Sequence, residues 1–160
     1  DRLLTALCQP VHAITVPRGG KPGYPRDRIV YARWNKPIVV LCNQNSFSNA
    51  EIFSHAVKTL KRGALVGVPT AGGGISTGAA MVLDVGIIRT PARGWFLVKD
   101  GEDMELNGAK PDYILWMKPG EETRVETDRQ LTKAVEVLTR EVREWEAHPL
   151  PKPRYASTRR

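Results

Sequence analysis

Two short apolar runs on either side of an amphipathic segment constrain this fold most strongly. Residues 37–42 read "PIVVLC" and residues 64–68 read "ALVGV", as expected of strands buried on both faces of a parallel sheet. Between them, from Ala50 to the stop at Gly63, apolar residues recur every three or four positions, which is typical of a helix: Ile52, Phe53, Ala56, Val57 and Leu60. Residues 37–68 therefore predict one βαβ unit, with a right-handed crossover as the default.

The remaining segments complete an α/β prediction. Residues 1–7 resemble the end of a helix, and residues 99–112 form a polar loop. Further short strands, some of them paired as hairpins, are predicted at residues 12–16, 29–34, 80–83, 87–90, 95–98 and 113–117. A long helix is predicted from about residue 127, and its single apolar stripe is expected to pack onto the rest: Leu131, Val135, Leu138, Val142 and Trp145.

Length and composition favour a globular chain with one real core. The chain has 160 residues, of which 41% are hydrophobic. No apolar run is long enough for a membrane helix, and residues 1–10 lack the features of a signal peptide, so we expect a soluble chain without a membrane span. The sequence begins without methionine, in what reads as the middle of a helix, which suggests a piece of a longer protein.

The charge does not favour a nucleic-acid partner. The net charge is +7, but the last ten residues contain four basic residues and no acid. A second basic segment, residues 16–28, is rich in Gly and Pro and lacks the interleaved aromatic residues that stack on bases. We therefore expect no nucleic-acid partner.

Cysteine usage argues against a disulfide or metal framework. Cys8 and Cys42 are isolated in apolar contexts, without CxxC spacing, and no cluster of His, Cys and carboxylates has ligand spacing. We expect two buried thiols and neither a metal nor another cofactor. Buried thiols slightly favour a cytoplasmic location over a periplasmic or secreted one.

The turn after the first buried run is rich in serine, and Ser48 has two interpretations. Ser48 and Glu51 form a capping-box pattern at the start of the helix. Alternatively, a serine between a parallel strand and a helix N-terminus lies where ligands bind in open α/β sheets, and the helix dipole there can stabilise an oxyanion. The G-x-S-x-G elbow of α/β-hydrolases is absent around Ser46, Ser48 and Ser54.

The glycine run Gly72, Gly73 and Gly74 also has two interpretations. It could cradle a phosphate, but it matches neither G-x-G-x-x-G nor the Walker pattern. A tight loop beside a cleft, where a peptide backbone can approach closely, is the favoured interpretation. These glycines are therefore predicted to bind substrate.

A family resemblance rests on the segment "VVLCNQNSFSNAEIFSHAVKTLKRGALVGVPTAGGG". It is similar to the nucleophile segment of the tail-specific, or carboxy-terminal processing, peptidases: a buried strand, S-x-S-x-x-E-I, a helix, R-[AG]-x-[VL]-V-G and T-x-G-K-G. "NGAKPDYIL" and "DRQLTKAVEVL" extend the likeness over residues 1–142. The resemblance implies a crotonase/ClpP-like fold, a partial catalytic domain over residues 1–147, and a basic, disordered tail over residues 148–160. It also implies that Ser48, three residues before Glu51, is the nucleophile.

At position 73 and around Glu105, the sequence resembles the tricorn core proteases more than the carboxy-terminal processing peptidases. Gly73 stands where the processing peptidases have their lysine base. Tricorn-like proteases use a histidine instead, polarised through a serine and a glutamate, and "ELNGAKPD" places Glu105 at the glutamate position, with Leu106 and Ala109 departing from the pattern. Without the resemblance, Glu105 would be read as a solvated loop carboxylate.

The general base is not evident in this chain. His55 follows Ser48 by seven residues on the same helix, about 10 Å along its axis and out of hydrogen-bond reach. His12 and His148 have no supporting spacing. The resemblance implies a histidine upstream of this chain, together with part of the oxyanion hole, and leaves the backbone N–H of Asn49 as the remaining oxyanion donor.

The function implied is a serine-type endopeptidase that cleaves peptides or unfolded polypeptides through an acyl-enzyme on Ser48 and is inactive as this fragment. Assembly into homo-oligomers is expected by analogy alone. Two alternatives stay open: a non-catalytic binding or assembly module of the same fold, in which Ser48 only caps the helix, and a nucleotide- or acyl-binding enzyme that uses the glycine loop.

Overall fold

The computed structural model describes residues 2–23, 34–121, 126 and 128–158. In chain order, the regular elements are α1 (Arg2–Cys8), β1 (Val39–Cys42), α2 (Asn49–Thr59), β2 (Ala64–Gly67), β3 (Ser76–Val82), β4 (Gly86–Arg93), β5 (Tyr113–Ile114), α3 (Arg129–Glu146) and a short 3-10 helix (Ala156–Thr158). The chain forms two compact units, one of Ile38–Leu138 and the other of Asp1–Pro37 with Thr139–Arg160.

A three-stranded parallel sheet organises the first of these units. The strand order is β1-β2-β5, with Val39 opposite Ala64 and Val66 opposite Tyr113. β1, α2 and β2 are consecutive, so the predicted βαβ unit and the α/β class are confirmed. The core against this sheet consists of buried Cys42, Val57, Leu65 and Ala109, with Val40 and Phe53 packed against it.

Asp112 fastens the entry of β5 to its neighbours. Its Oδ2 accepts the Leu65 N–H at 2.9 Å, and its Oδ1 lies 3.1 Å from the Lys58 Nζ. Lys58 also donates to the Lys110 carbonyl at 2.6 Å, so α2, β2 and the start of β5 are joined at one place. The ion pair is partly exposed and adds little free energy.

The buried face of α2 is more polar than the sequence predicts. Val57 is fully buried as expected, but the predicted core residue Leu60 is exposed, and the other buried residues of the helix are Glu51, Ser54 and His55. The reason is that this face packs against loops rather than only against apolar strands. His55 and Glu51 bond to those loops, so the helix buries polar groups that have partners.

The antiparallel hairpin of β3 and β4 follows the glycine loop, as predicted, but its strands are longer than the predicted runs. Residues 95–98 form no strand and contribute a single bridge between Phe96 and Asp103. The turn of the hairpin leaves several large apolar side chains exposed: Met81, Val82, Leu83, Val85, Ile87 and Ile88.

α3 confirms the predicted long helix but buries a different stripe. Asp128 caps its start by accepting the Leu131 N–H at 2.9 Å. Ala134 and Val137 are buried, whereas Leu131, Val135 and Trp145 are exposed. Gln130 donates to the Leu115 carbonyl at 2.8 Å, and Lys133 lies 5.1 Å from the centre of the Tyr113 ring. The helix therefore faces β5 with the stripe through residues 130, 133, 134 and 137.

The other unit has less regular structure. α1 agrees with the predicted helix end, and the Trp34 N–H donates to the Ala6 carbonyl at 3.0 Å. The predicted strand at residues 12–16 is reduced to one bridge, in which Thr15 pairs with Gly23. The predicted strand at 29–34 lies outside the described residues except for Trp34.

Cys42 is buried as expected, but Cys8 is only half-buried. Among the described residues, no helix is long and apolar enough to cross a membrane.

The packing of the sheet yields a stability prediction. Leu65→Ala should lower the free energy of unfolding by about 2–5 kcal/mol, because the Leu65 side chain of β2 is fully buried in the core that includes Val57 of α2. Leu41→Ala, in the neighbouring strand, is the matched control, since Leu41 is 47% exposed and should lose less than half as much. Urea denaturation followed by circular dichroism measures both, and equal losses would contradict this account of the core.

Candidate active site

The backbone at Ser48 turns sharply between β1 and α2. Its dihedral angles are φ 55° and ψ −117°, a conformation that a non-glycine residue rarely adopts. Backbone strain of this kind concentrates at functional sites, where the surrounding structure holds it in place. Although the glycine pattern of a nucleophile elbow is absent, the local backbone makes a strained strand-to-helix turn of the same kind.

The other serines of the turn have structural roles. Ser46 Oγ accepts the Asn43 N–H at 3.0 Å and so closes the loop after β1. Ser54 is buried, and its hydroxyl donates to the Ala50 carbonyl at 2.8 Å within α2. Ser48 is therefore the serine of this segment whose hydroxyl is not committed to the fold.

Ser48 and Glu51 are arranged as the predicted capping box, but its two halves are unequal. The Glu51 carboxylate accepts the Ser48 N–H at 3.1 Å. The other half is also present: the Ser48 side chain faces the Glu51 N–H, although it does not make a full capping hydrogen bond, and the same N–H donates to the Ser48 carbonyl at 2.9 Å. The Ser48 hydroxyl thus lies at the helix N-terminus, in the capping position.

The predicted oxyanion donor lies at the start of the same helix. Within the described part of the chain, no hydrogen bond uses the backbone N–H of Asn49, whereas those of Ala50 and Glu51 donate to the carbonyls of Phe47 and Ser48. The first N–H groups of a helix lack intrahelical acceptors and carry its positive partial charge. The Asn49 N–H therefore has the chemistry of an anion donor beside the Ser48 hydroxyl.

Cys42, at the end of β1, is not a competing nucleophile. It is buried, and its Sγ lies 3.6 Å from the Val68 carbonyl. Burial raises the pKa of this thiol to about 11, so it remains protonated at neutral pH.

Glu51 joins the Ser48 turn to the glycine loop. Its carboxylate accepts four hydrogen bonds: from Thr70 Oγ1 at 2.7 Å, from the N–H groups of Gly72 at 2.5 Å and Gly73 at 2.7 Å, and from the Ser48 N–H. Burial alone raises the pKa of Glu51, but these donors outweigh it and hold the pKa below its ordinary value of 4.5. Glu51 is therefore an ionised, almost fully buried carboxylate whose charge is satisfied by hydrogen bonds.

The three glycines allow close packing around this carboxylate. Gly72 has a positive φ of 82°, which favours glycine. A Cβ on Gly73 would lie 2.1 Å from the ring of Phe47, and one on Gly74 would lie 2.9 Å from the Met104 Cβ. Packing and backbone conformation thus favour glycine at positions 72 and 74, while at position 73 a side chain would need the exposed Phe47 ring to move.

Residues 104–109 line the opposite side of the glycine loop. The Leu106 N–H donates to the Gly72 carbonyl at 2.8 Å, and the Ala109 N–H donates to Thr70 Oγ1 at 2.8 Å. Glu105 is half-buried, and its Oε2 accepts the Ile75 N–H at 2.9 Å. Glu105 therefore bonds to the loop from one side, and Glu51 bonds to it from the other. The structure shows no direct contact between Glu105 and Ser48.

The histidines do not pair with Ser48. His55 is buried, and its Nε2 lies 3.1 Å from the Asn107 carbonyl, so it links the segment carrying Glu105 to α2. Among the described residues, no histidine forms a hydrogen bond with Ser48. The described residues also contain no group of three or more His, Cys, Asp or Glu side chains that could hold a metal.

The extent of the Glu51 network is not evident from the sequence, which indicates Glu51 as a capping residue but not its bonds to Thr70, Gly72 and Gly73. No local pattern signals these bonds, because Glu51 precedes the core residue Val57 by six positions and so lies about 120° away from it around the helix.

Comparison with known proteins identifies the family. Residues 4–115 match the model of peptidase family S41. The chain belongs to this family. The predicted resemblance to tricorn and tail-specific peptidases is thereby confirmed, and the chain corresponds to the carboxy-terminal part of such a protease domain.

Two curated relatives and one solved structure show how much of the chain is shared. It is 29% identical over 137 residues to the tricorn protease of Thermoplasma volcanium, covering 84% of this chain and 12% of that protein. It is 31% identical over 122 residues to tricorn protease homolog 1 of Streptomyces coelicolor, covering 75% of this chain and 11% of that protein. The crystal structure of the tricorn protease matches with a TM-score of 0.68 at 24% identity, covering 82% of this chain and 12% of that one.

These matches confirm the fold and place the chain in a family of peptidases, which are hydrolases. The chain spans only about an eighth of the length of the curated relatives. The catalytic roles of Ser48, Asn49, Glu105 and the glycine loop stay predictions.

The Glu51 network yields a pH-dependent prediction. Glu51→Gln should lower the free energy of unfolding by about 1–3 kcal/mol at pH 7, because an amide cannot accept all four donors. A carboxylate whose pKa is lower in the folded state stabilises the fold above its unfolded pKa, near 4.5, and this contribution is lost as the pH falls through the folded pKa. The stability difference between wild type and variant should therefore shrink below pH 4.5.

Glu105→Gln is the matched control, since Glu105 is half-buried and accepts one hydrogen bond from Ile75. Denaturant unfolding of the three proteins at several pH values measures the differences. A Glu51→Gln cost that is independent of pH would contradict an ionised Glu51.

Proposed function

We propose that this chain carries the nucleophile of a serine-type endopeptidase and that Ser48 is that residue. The observation that carries the proposal is the strained backbone of Ser48, which presents an uncommitted hydroxyl at the N-terminus of α2. The free N–H of the adjacent Asn49 and membership of family S41 support it.

The proposed reaction follows from these groups. Ser48 Oγ attacks the carbonyl carbon of a peptide bond while a base takes the hydroxyl proton. The negative oxygen of the tetrahedral intermediate accepts the Asn49 N–H, in a place where the α2 dipole also favours negative charge. The base returns its proton to the leaving amine, and water then hydrolyses the acyl-enzyme on Ser48.

The base belongs to a part of the protein outside this chain. Similarity to tricorn proteases, in which a histidine is polarised through a serine and a glutamate, supports an upstream histidine with Glu105 as the glutamate. Gly72, Gly73 and Gly74 would lie along the bound peptide. With no base paired to Ser48, we expect little or no turnover from the 160 residues alone.

The alternative function is a non-catalytic binding or assembly module of the same fold. The capping-box arrangement of Ser48 and Glu51 favours it, because a helix cap needs no base. In that case Ser48→Ala costs only stability, by roughly 0.5–2 kcal/mol.

The test is covalent capture by a fluorophosphonate probe, followed by mass mapping of the labelled peptide. In the longer product of the gene, the probe should label Ser48, and Ser48→Ala should abolish both the label and peptide hydrolysis. Ser46→Ala is the control and should keep both, since the Ser46 hydroxyl closes the loop after β1. Peptide hydrolysis that survives Ser48→Ala would overturn the proposal, and a longer protein without label or hydrolysis would favour the binding module.

A further inference from the structure

Glu105 lies in a tight turn whose side chains hold its backbone on both sides. The Glu105 N–H donates to the Asp103 carboxylate at 3.0 Å, and the Glu105 carbonyl accepts from the Asn107 side-chain amide at 3.4 Å. The same amide donates to the Asp103 carbonyl at 3.0 Å and closes the turn. Leu106 has a positive φ of 62°, which is rare for a bulky side chain. Side-chain hydrogen bonds therefore hold Glu105 in a turn that the backbone alone does not favour.

A buried histidine of α2 anchors one end of this turn. The Nε2 of His55 lies 3.1 Å from the Asn107 carbonyl, and because a carbonyl oxygen only accepts, this nitrogen carries the proton. The His55 side chain is 8% exposed, so the bond is shielded from the water that competes with hydrogen bonds at a surface. The turn that carries Glu105 is thus fastened to α2 at a buried point.

The helix that carries His55 also begins at the proposed nucleophile. Ser48 is the N-cap of α2, and His55 lies seven residues further on, about 10 Å along the axis. The backbone hydrogen bonds that join successive turns make a helix of this length a rigid spacer. α2 and the bond from His55 therefore set the separation of Ser48 and Glu105, which are not in direct contact.

We propose that His55 is a positioning residue for the peptidase reaction, which acts by holding Glu105 in place through the Asn107 carbonyl. Groups of a catalytic site must be held to within about 0.5 Å, and sites on helices are more precise than sites on loops. His55 gives the Glu105 turn the precision of α2. The inference rests on the proposed function for the catalytic role of Glu105, but the positioning itself can be measured separately.

Other hydrogen bonds hold the segment that follows the turn. The Leu106 N–H donates to the Gly72 carbonyl at 2.8 Å, and the Lys58 Nζ donates to the Lys110 carbonyl at 2.6 Å. These bonds remain when His55 is replaced. Loss of the histidine should therefore loosen the turn without releasing the whole segment.

The first experiment measures how firmly Glu105 is held, by hydrogen exchange of the Ile75 amide in the 160-residue chain. This amide donates to Glu105 Oε2 at 2.9 Å, so its protection reports the position of the carboxylate. His55→Leu removes the donor at similar volume and should speed the exchange about tenfold, as should Asn107→Ala. His55→Gln should restore the protection to within about threefold of wild type, because the Gln amide can donate in place of Nε2.

Ser54→Ala is the matched control for this experiment. Ser54 is likewise a buried polar residue of α2, but its hydroxyl donates to the Ala50 carbonyl within the helix. Its loss should leave the exchange of the Ile75 amide unchanged. Asn107 is exposed, so Asn107→Ala should fold even if His55→Leu does not. Wild-type exchange in Asn107→Ala, or equal acceleration by Ser54→Ala, would overturn the proposal.

The second experiment measures the rate at which the fluorophosphonate probe labels Ser48 in the longer protein. His55→Leu should lower this rate between about tenfold and a hundredfold, and His55→Gln should restore most of it. The double variant with Glu105→Gln should lose no more than Glu105→Gln alone, because both changes act on one group. Additive losses would show that His55 does not act through Glu105, and would also overturn the proposal.

Failure of this inference can be told apart from failure of the proposed function. If Ser48 is labelled in the longer protein but His55→Leu and Asn107→Ala leave the Ile75 amide protected, the positioning role is wrong and the nucleophile stands. If both variants speed the exchange but Ser48 is never labelled in the wild type, His55 still positions Glu105 and the catalytic assignment of Ser48 falls.

Discussion

The buried carboxylate of Glu51 is the interaction on which the arrangement of this site depends. A charge in this position is costly unless several donors satisfy it, and here the donors come from two segments far apart in the sequence. The Ser48 N–H comes from the turn after β1, and Thr70, Gly72 and Gly73 belong to the loop after β2. The Ala71 N–H also donates to the Ser46 carbonyl at 3.0 Å, so the carboxylate and this direct bond together hold the two segments at their separation.

The same interaction reconciles the two interpretations of Ser48. In an ordinary capping box, the serine hydroxyl and the glutamate carboxylate each satisfy one N–H. Here the carboxylate accepts the Ser48 N–H, while the Glu51 N–H faces the Ser48 side chain and donates to the Ser48 carbonyl. The helix start therefore has a backbone acceptor besides the hydroxyl, so the capping motif and the proposed nucleophile can be the same residue.

The sequence predicted the elements with strong periodicity and missed the features that depend on tertiary contacts. The βαβ unit followed from two apolar runs and one amphipathic segment. The polar face of α2 was missed because Glu51 and His55 are buried against loops, and no local pattern encodes their partners. The apolar stripe of α3 was misplaced because Gln130 and Lys133, polar by sequence, are the residues that contact the β5 segment. The roles assigned to Ser48, Asn49, Glu105 and the glycine loop stay predictions, and the joining of the Ser48 turn to the glycine loop by Glu51 could not be derived from spacing.

The contact between Phe47 and Gly73 bears on position 73, where the processing peptidases of the resemblance have their lysine base. A side chain at position 73 would enter the volume that the Phe47 ring occupies, so a lysine there would require the ring to move. Because the ring is 62% exposed, it has room to do so, and the contact alone does not explain the glycine. Under the proposed function, the base comes from another part of the protein, so the nucleophile lies in this segment and its activation depends on the segment that supplies the base.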